Sequence, residues 1–452
     1  MNILLIWPPS PEYHILTEEF SCCEPLGLEY VAASLEDSHR VDIVDLRLDE
    51  NLTEYLEACN YDMVGISIPY TVCVNSCNNI IKHIRMVNPY IKIVIGGHYP
   101  TVTLDHILID LVDYVVFGEG IPTFRNLVDA IELGSGMMSV EGTAYVSEGR
   151  IHRNSLCELT EIDSFPLPAR HLLSRHKEAY FHAHYNPVSL ARFSTGCPYN
   201  CSFCILWKLT KRRYISRQNE LIINELSKLE NENVYVVDDE AFIQTQRMKE
   251  LAQLLIRNGI RKKYHMYVRS DTVVKNPGLM ESWALAGLDS VLIGMESLSE
   301  NQLRKFNKSI TVDNAYGAVK ILHRNHVEVR ANFIVTPDYS IEDFQRLKDV
   351  ISTLDIDKPT FSVITPFIGT DEYSENYSNF VIDKLEFFDC FHTFYQTYLP
   401  INVFYREFAG LFRYSSNRDT KDNSKIFYAG SGSAAFSDML RKMEDSYKYY
   451  AD

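Results

Sequence analysis

STGCPYNCSFC, residues 194–204, sets three cysteines in a C-x3-C-x2-C spacing directly behind an apolar run, VSLARFS (188–194), and its reading decides the rest of the chain. In a reducing compartment, clustered thiols bind metal or do chemistry more often than they pair. A closed zinc site takes four protein ligands, and the nearest histidines, His182 and His184, precede a whole strand. An iron–sulfur cluster is held by thiolates, and three of them on a four-iron cluster leave one iron open to a small molecule. Open iron is the first reading of Cys197, Cys201 and Cys204, and zinc the second.

The run before the cysteines opens a βα series. VYVVDD (234–239), HMYVRS (265–270), SVLIGME (290–296), VRANFIV (329–335) and FSVITP (361–366) are further strand candidates, separated by helical patterns. Six such units predict a partial (β/α)6 barrel of the TIM type over 186–375. Chemistry in β/α barrels sits at the carboxyl ends of the strands, where the three cysteines, Asp238, Asp239, Arg269, Ser270, Asp271, Glu296 and Pro366 all fall.

Upstream, NILLIW (2–7), VDIVDL (41–46), MVGISI (63–68), IKIVIGG (91–97) and YVVFGEG (114–120) alternate with helical stretches at 27–37, 74–88 and 122–133. That rhythm predicts a doubly wound, Rossmann-like α/β domain over 1–145. Its glycines, Gly65, Gly96, Gly97, Gly118 and Gly120, either let a ligand approach the backbone or only make tight turns. VSEGRIHRNS (146–155) and DSFPLPARHLL (163–173) read as a small hairpin and linker across 146–185. Beyond 376 the chain becomes a helical, aromatic-rich C-terminal region to 452, with most of its rings expected in a core and a minority at a pocket.

Bulk properties narrow the partners. Of 452 residues 46% are apolar, ample for buried cores, and the net charge of −16 opposes nonspecific binding to nucleic acid or an anionic membrane. MNILLIWPPS carries neither a basic flank nor a cleavage-like site, and no apolar run reaches the roughly eighteen residues of a membrane span, so the chain reads as cytoplasmic. KLTKRR (208–213) puts four cations close behind the cysteines, either a docking patch for an acidic electron donor or a solvated helix face.

With Gly196 ahead of the first cysteine and Phe203 before the last, the motif resembles the radical S-adenosylmethionine superfamily. The resemblance implies a 4Fe-4S cluster on Cys197, Cys201 and Cys204 and an open iron that binds S-adenosylmethionine for reductive cleavage to a 5'-deoxyadenosyl radical. It gives the cofactor's amino group to Asp238 and Asp239, its ribose and carboxylate to Arg269, Ser270 and Glu296, and its adenine to TPFIGT (365–370), including Pro366, with Phe203 beside the cluster. VTPDYS stands where many families have a glycine after the fifth strand.

EPLGLEYVAASL (24–35), VGISIPY (64–70), IGGHYPT (95–101) and DYVVFGEGIPTF (113–124), in that order, resemble the cobalamin-binding domain fused ahead of many such barrels. Cobalamin would then lie against Gly65, Ser67, Tyr70, Thr71, Gly96, Gly97, His98, Gly118, Glu119 and Gly120. The D-x-H-x-x-G motif, whose histidine ligates cobalt from below, is absent from DLRLDEN (45–51) and DHILID (105–110). Either the lower face is unligated, with Tyr70 and Thr71 to cover it, or the domain no longer carries cobalamin. The family resembled is the class B radical S-adenosylmethionine methyltransferases, which implies methylation of an unactivated carbon of a small-molecule substrate, with flavodoxin or ferredoxin as electron donor. Radical dehydration, cyclisation or epimerisation is the alternative chemistry, and a ligand-binding cobalamin or metal sensor the alternative class.

Overall fold

Within the first 145 residues Val, Ile and Leu dominate the strand runs on both faces, as parallel strands covered on both sides require. The computed structural model describes residues 1–11, 15, 20–49, 51–147, 149–158, 161–418 and 432–450; the remaining positions, including 419–431 and 451–452 of the C-terminal region, lie outside it. Two compact units form, Met1–His14 with Glu24–Glu178, and Ile15–Cys23 with Ala179–Asp452.

In chain order, β1 (Asn2–Trp7) is followed by β2 (Ser21–Cys22), which belongs to the second unit, and then by β3 (Arg40–Asp45), β4 (Met63–Ser67), β5 (Lys92–Gly96) and β6 (Tyr114–Val116). The first unit's sheet runs β3-β1-β4-β5-β6 with every pair parallel, so the order reverses beside β1. Ligands of doubly wound folds bind at that end of such a sheet. A hairpin of β7 (Thr143–Ser147) and β8 (Arg150–Arg153) adds antiparallel strands along β6. Gly65 lies inside β4, where a Cβ would come within 2.8 Å of Leu5 and 3.2 Å of Phe124. Its missing side chain lets the helix Gly120–Glu132 settle onto the sheet.

The second unit holds β9 (Phe181–His182), β10 (Val188–Ala191), β11 (Ser194–Thr195), β12 (Ile215–Ser216), β13 (Asn233–Val236), β14 (Lys263–Val268), β15 (Leu288–Glu296), β16 (Glu328–Val335) and β17 (Lys358–Val363). Its six-stranded sheet has the order β10-β13-β14-β15-β16-β17, all parallel, which is the expected partial barrel. Side chains alternate strictly. Val234, Met266, Val291, Val329 and Phe361 join a core with the covering helices around the fully buried Trp283, whose Nε1 donates to the Met248 carbonyl at 2.9 Å.

Several of the intervening positions are polar and bond to one another: Tyr235 to Tyr267 (2.7 Å), His265 to Ser290 (2.6 Å) and Asn332 to Ser362 (3.3 Å). Burial holds the His265 imidazole well below its usual range and therefore neutral. β2 pairs antiparallel with β9, Ser21 opposite His182, and Ile15 and Phe20 join the barrel's core. The tail helices Ile401–Arg418 and Gly432–Asp445 bring Phe404, Phe408, Phe412, Met439 and Met443 to that same core. Among the described residues no helix is long and apolar enough to cross a membrane.

Candidate active site

The cysteine loop springs from β11, which β12 fastens by pairing Ser194 with Ser216 and Thr195 with Ile215. Gly196 has φ +88, and a Cβ there would lie 2.0 Å from the Arg213 carbonyl oxygen, so only glycine fits. Its N–H donates to Asp239 at 2.8 Å. Further along, the Ser202 N–H donates to the Phe306 carbonyl (3.0 Å), Asn307 to the Asn200 carbonyl (3.0 Å) and the Trp207 indole to the Cys201 carbonyl (3.0 Å). The loop is therefore fixed by groups outside itself, as a preformed cofactor cradle must be.

Cys201 is buried and Cys197 and Cys204 are half-buried, and all three are free thiols. Burial pushes Cys197 up to about 11 and Cys204 to about 12, against backbone N–H groups at Tyr199 and Leu206 that favour the thiolates. N–H donors aimed at sulfur are what tune a thiolate-held iron–sulfur cluster, so the donor set fits one. Among the described residues no three His, Cys, Asp or Glu side chains converge on a single metal ion, whereas a four-iron cube offers each thiolate its own iron.

The strand ends around the loop divide into fasteners and open groups. Asp238 accepts from the Phe193 N–H at 2.7 Å and from the Ser194 hydroxyl; burial raises it to about 6. With Asp239 on Gly196, both acids of VVDD are built into the base of the cysteine loop. The next residue, Glu240, is the acid that motif reading missed. It is buried, accepts a long 3.4 Å bond from the Phe242 N–H, and is raised to about 7 by burial, against the pull of Arg269 and Lys308. Its signal was in plain view, a third acid in VVDDEAF.

Arg269 clamps the loop to the barrel. Its guanidinium stacks on Tyr199 with 3.7 Å to the ring centre and donates to Asp271 (3.0 Å) and to the Lys308 carbonyl (2.9 Å). The Ser270 hydroxyl, which opens the helix Ser270–Lys275 just past β14, is fully buried with no hydrogen-bond partner among the described residues, an orphaned group of the kind a bound molecule satisfies. Glu296 sits at φ +59 after a register shift in β15, and its carboxylate is 2.6 Å from the Lys308 Nζ. A Cβ on Gly294 would lie 2.3 Å from that carboxylate and 2.7 Å from that ammonium, so this glycine makes room for the pair. Burial lowers Lys308, yet Glu296 and Cys201 outweigh it and hold the ammonium above its usual range.

Phe203 meets Phe306 edge-on at 5.3 Å, in an apolar patch with Ile334, Ile364 and Tyr395 that only the folded chain assembles. Pro366 is buried just beyond β17.

In the first unit, three turns follow the carboxyl ends of β4, β5 and β6. Tyr70 is 58% exposed and Thr71 buried after Ser67. Gly97 and His98 are exposed after Gly96, and Gly118 is exposed before Glu119 and Gly120. Gly97 has φ +114, and a Cβ there would come within 2.7 Å of the Ile68 carbonyl oxygen. The Thr101 hydroxyl ties two of the turns, donating to the Gly97 carbonyl (2.8 Å) and accepting from the Gly118 N–H (3.0 Å). The result is an edge of bare backbone beside one exposed aromatic, which suits a broad, flat ligand such as a corrin. At the β3 end Asp45 is held by Arg47 through bonds of 2.8 and 2.6 Å, and His176 bonds Asp49 at 3.0 Å.

Comparison with known proteins agrees with this layout. The B12 binding domain family matches residues 15–128, and the Radical SAM superfamily matches residues 192–351. The hopanoid C-3 methylase of Methylococcus capsulatus is 28% identical over 405 residues, covering 88% of this chain and 77% of its own. The anaerobic magnesium-protoporphyrin IX monomethyl ester cyclase of Rubrivivax gelatinosus is 25% identical over 408 residues, covering 86% and 71%. The structure of the radical S-adenosylmethionine methyltransferase TsrM from Kitasatospora setae, with cobalamin and a [4Fe-4S] cluster bound, superposes with a TM-score of 0.68 at 18% identity, over 83% of this chain and 77% of that one.

Barrel and three-thiol loop thus define a radical S-adenosylmethionine enzyme. With the domain ahead of the barrel, the chain joins a B12 binding domain at residues 15–128 to a Radical SAM domain at residues 192–351, and the cofactors of that pairing are a 4Fe-4S cluster, S-adenosylmethionine and cobalamin.

Proposed function

We propose that the protein is a cobalamin-dependent C-methyltransferase that acts on an unactivated carbon of a small molecule. The observation that carries this is the conjunction, in one chain, of a rigid loop bearing three free thiols with a glycine-lined edge at the carboxyl ends of a doubly wound sheet's strands. When bound, the cluster and S-adenosylmethionine supply hydrogen-atom abstraction, and cobalamin supplies a methyl group.

The chain's own residues bind and orient. Cys197, Cys201 and Cys204 hold the cluster. The Glu240 carboxylate suits the amino group of S-adenosylmethionine, since a bound cation would offset the burial that now raises it. The orphaned Ser270 hydroxyl and the Lys308–Glu296 pair serve its polar flank, and Phe203, Ile334 and Ile364 its adenine. Asp238, Asp239 and Arg269 act as positioning residues, because their polar atoms hold the loop. Tyr70, Gly97, His98 and Gly118 cradle the corrin. An electron donor of the flavodoxin or ferredoxin type reduces the cluster. We place the enzyme in the cytoplasm, where its ten free cysteines stay reduced.

The relative named as a cyclase favours a second reading, radical chemistry without methyl transfer. Anaerobic reconstitution with iron, sulfide and hydroxocobalamin separates the two. Given S-adenosylmethionine, dithionite and a candidate acceptor, a methyltransferase forms S-adenosylhomocysteine and 5'-deoxyadenosine together, and a deuterated methyl group enters the product. A cyclase forms 5'-deoxyadenosine alone, and a sensor forms neither.

A further inference from the structure

Two basic segments are fastened to the same cysteine loop. The first is KLTKRR: Lys211 and Arg212 are exposed, with left-handed backbone at φ 51 and 60, and the Arg212 Nε donates to the Pro198 carbonyl at 3.2 Å. The Arg213 carbonyl lies against Gly196. The second ends the helix Glu300–Lys305, where Arg304 and Lys305 are both exposed. There the Lys305 carbonyl accepts from the Ser202 hydroxyl (3.2 Å) and the Phe306 carbonyl from the Ser202 N–H (3.0 Å). Of the nearby carboxylates, Asp371 pairs with Lys208, the first cation of KLTKRR, at 2.5 Å, and Glu300 accepts from the Val312 N–H at 2.8 Å. A chain of net charge −16 therefore gathers cations around the one loop that carries three thiols.

We propose that Lys211, Arg212, Arg304 and Lys305 form the docking surface for a small acidic one-electron carrier protein that reduces the cluster. The proposal rests on the cluster assignment made above and adds where, and by what chemistry, the electron arrives. One electron passes from the reduced carrier to the oxidised cluster; no bond is made or broken and no proton moves. The local patch attracts an acidic partner while the rest of the surface repels it, which fixes the partner's orientation as well as its rate. A nucleic acid has no such advantage, because its charge extends far beyond the patch over an acidic protein.

The test compares the reconstituted holoenzyme with its Lys211→Glu/Lys305→Glu variant. Anaerobic stopped-flow mixing with a reduced, acidic flavodoxin gives the rate, and chemical-shift changes in labelled flavodoxin give binding with or without a cluster. Expected are a second-order constant about tenfold lower in the variant, loss of its dependence on salt, and weakened binding, with dithionite reduction and the cluster spectrum unchanged. Equal carrier rates and equal binding in parent and variant overturn the proposal. So does parent-only binding of a short RNA with no difference toward flavodoxin. A protein that takes up no cluster sinks the proposed function instead, and the binding comparison still decides the docking surface.

Discussion

At Gly196 the chain tolerates no side chain, since its backbone is left-handed and the Arg213 carbonyl occupies the space of a Cβ. Gly196→Ala is expected to cost about 3 kcal/mol and to prevent cluster incorporation, read by thermal melting of the apoprotein and by iron content. Glu240 carries a different kind of strain. Burial raises it from its ordinary 4.5 to about 7, so the folded chain keeps a proton that the unfolded chain has released. That contribution is fully present below pH 4.5 and is lost as pH rises through 7. Glu240→Gln, which cannot ionise, is therefore expected to stabilise the cofactor-free protein at pH 8 by on the order of 2 kcal/mol and to have little effect near pH 4.5. The same variant is expected to bind S-adenosylmethionine more weakly in equilibrium dialysis. Stability that did not depend on pH in the comparison would dismiss the buried-charge account.

Among the elements, β15 shows how a strand builds chemistry: its register shift turns Glu296 toward Lys308, and Gly294 leaves space for both. Gly294→Ala should displace these flexible side-chain ends and leave the barrel intact, seen as about tenfold weaker S-adenosylmethionine binding with unchanged circular dichroism. In the tail, Asp389, His392 and Ser446 stand in a hydrolase-like order, with 2.8 Å from Asp389 to Nδ1 and 3.2 Å from Ser446 to Nε2. All three are buried, and Ser446 also donates to the Lys442 carbonyl at 2.9 Å, so the set is a clasp between the turn that follows the helix Gly432–Asp445 and the loop ahead of the helix Ile401–Arg418. His392→Ala is expected to cost about 1–3 kcal/mol in chemical denaturation and to change no esterase background.

The β runs were legible because six apolar strands end in polar residues, as VYVVDD and SVLIGME do, and the thiol spacing located the site. Lys308 was not legible, because it follows a helix between two left-handed residues, Asn307 and Ser309, and reaches the site only by tertiary folding. Phe306 and Tyr395 escaped for the same reason. Asp238 and Glu240 are chemically alike in sequence, and only their hydrogen bonds distinguish the fastener from the open carboxylate.

At the scale of the whole molecule, the barrel unit is completed by a segment from near the start of the chain. Ile15 and Phe20 enter its core, and β2 forms the only partner strand that β9 has among the described residues. Residues 179–452 produced alone are expected to melt well below the intact chain and to regain protection when a peptide of residues 15–23 is added, measurable by hydrogen exchange across 181–193. Genetic exchange inherits the same constraint. A crossover near residue 178 that grafts a foreign head onto this barrel also replaces the barrel's own threaded strand, so chimeras between relatives should survive only where residues 15–23 travel with the C-terminal half.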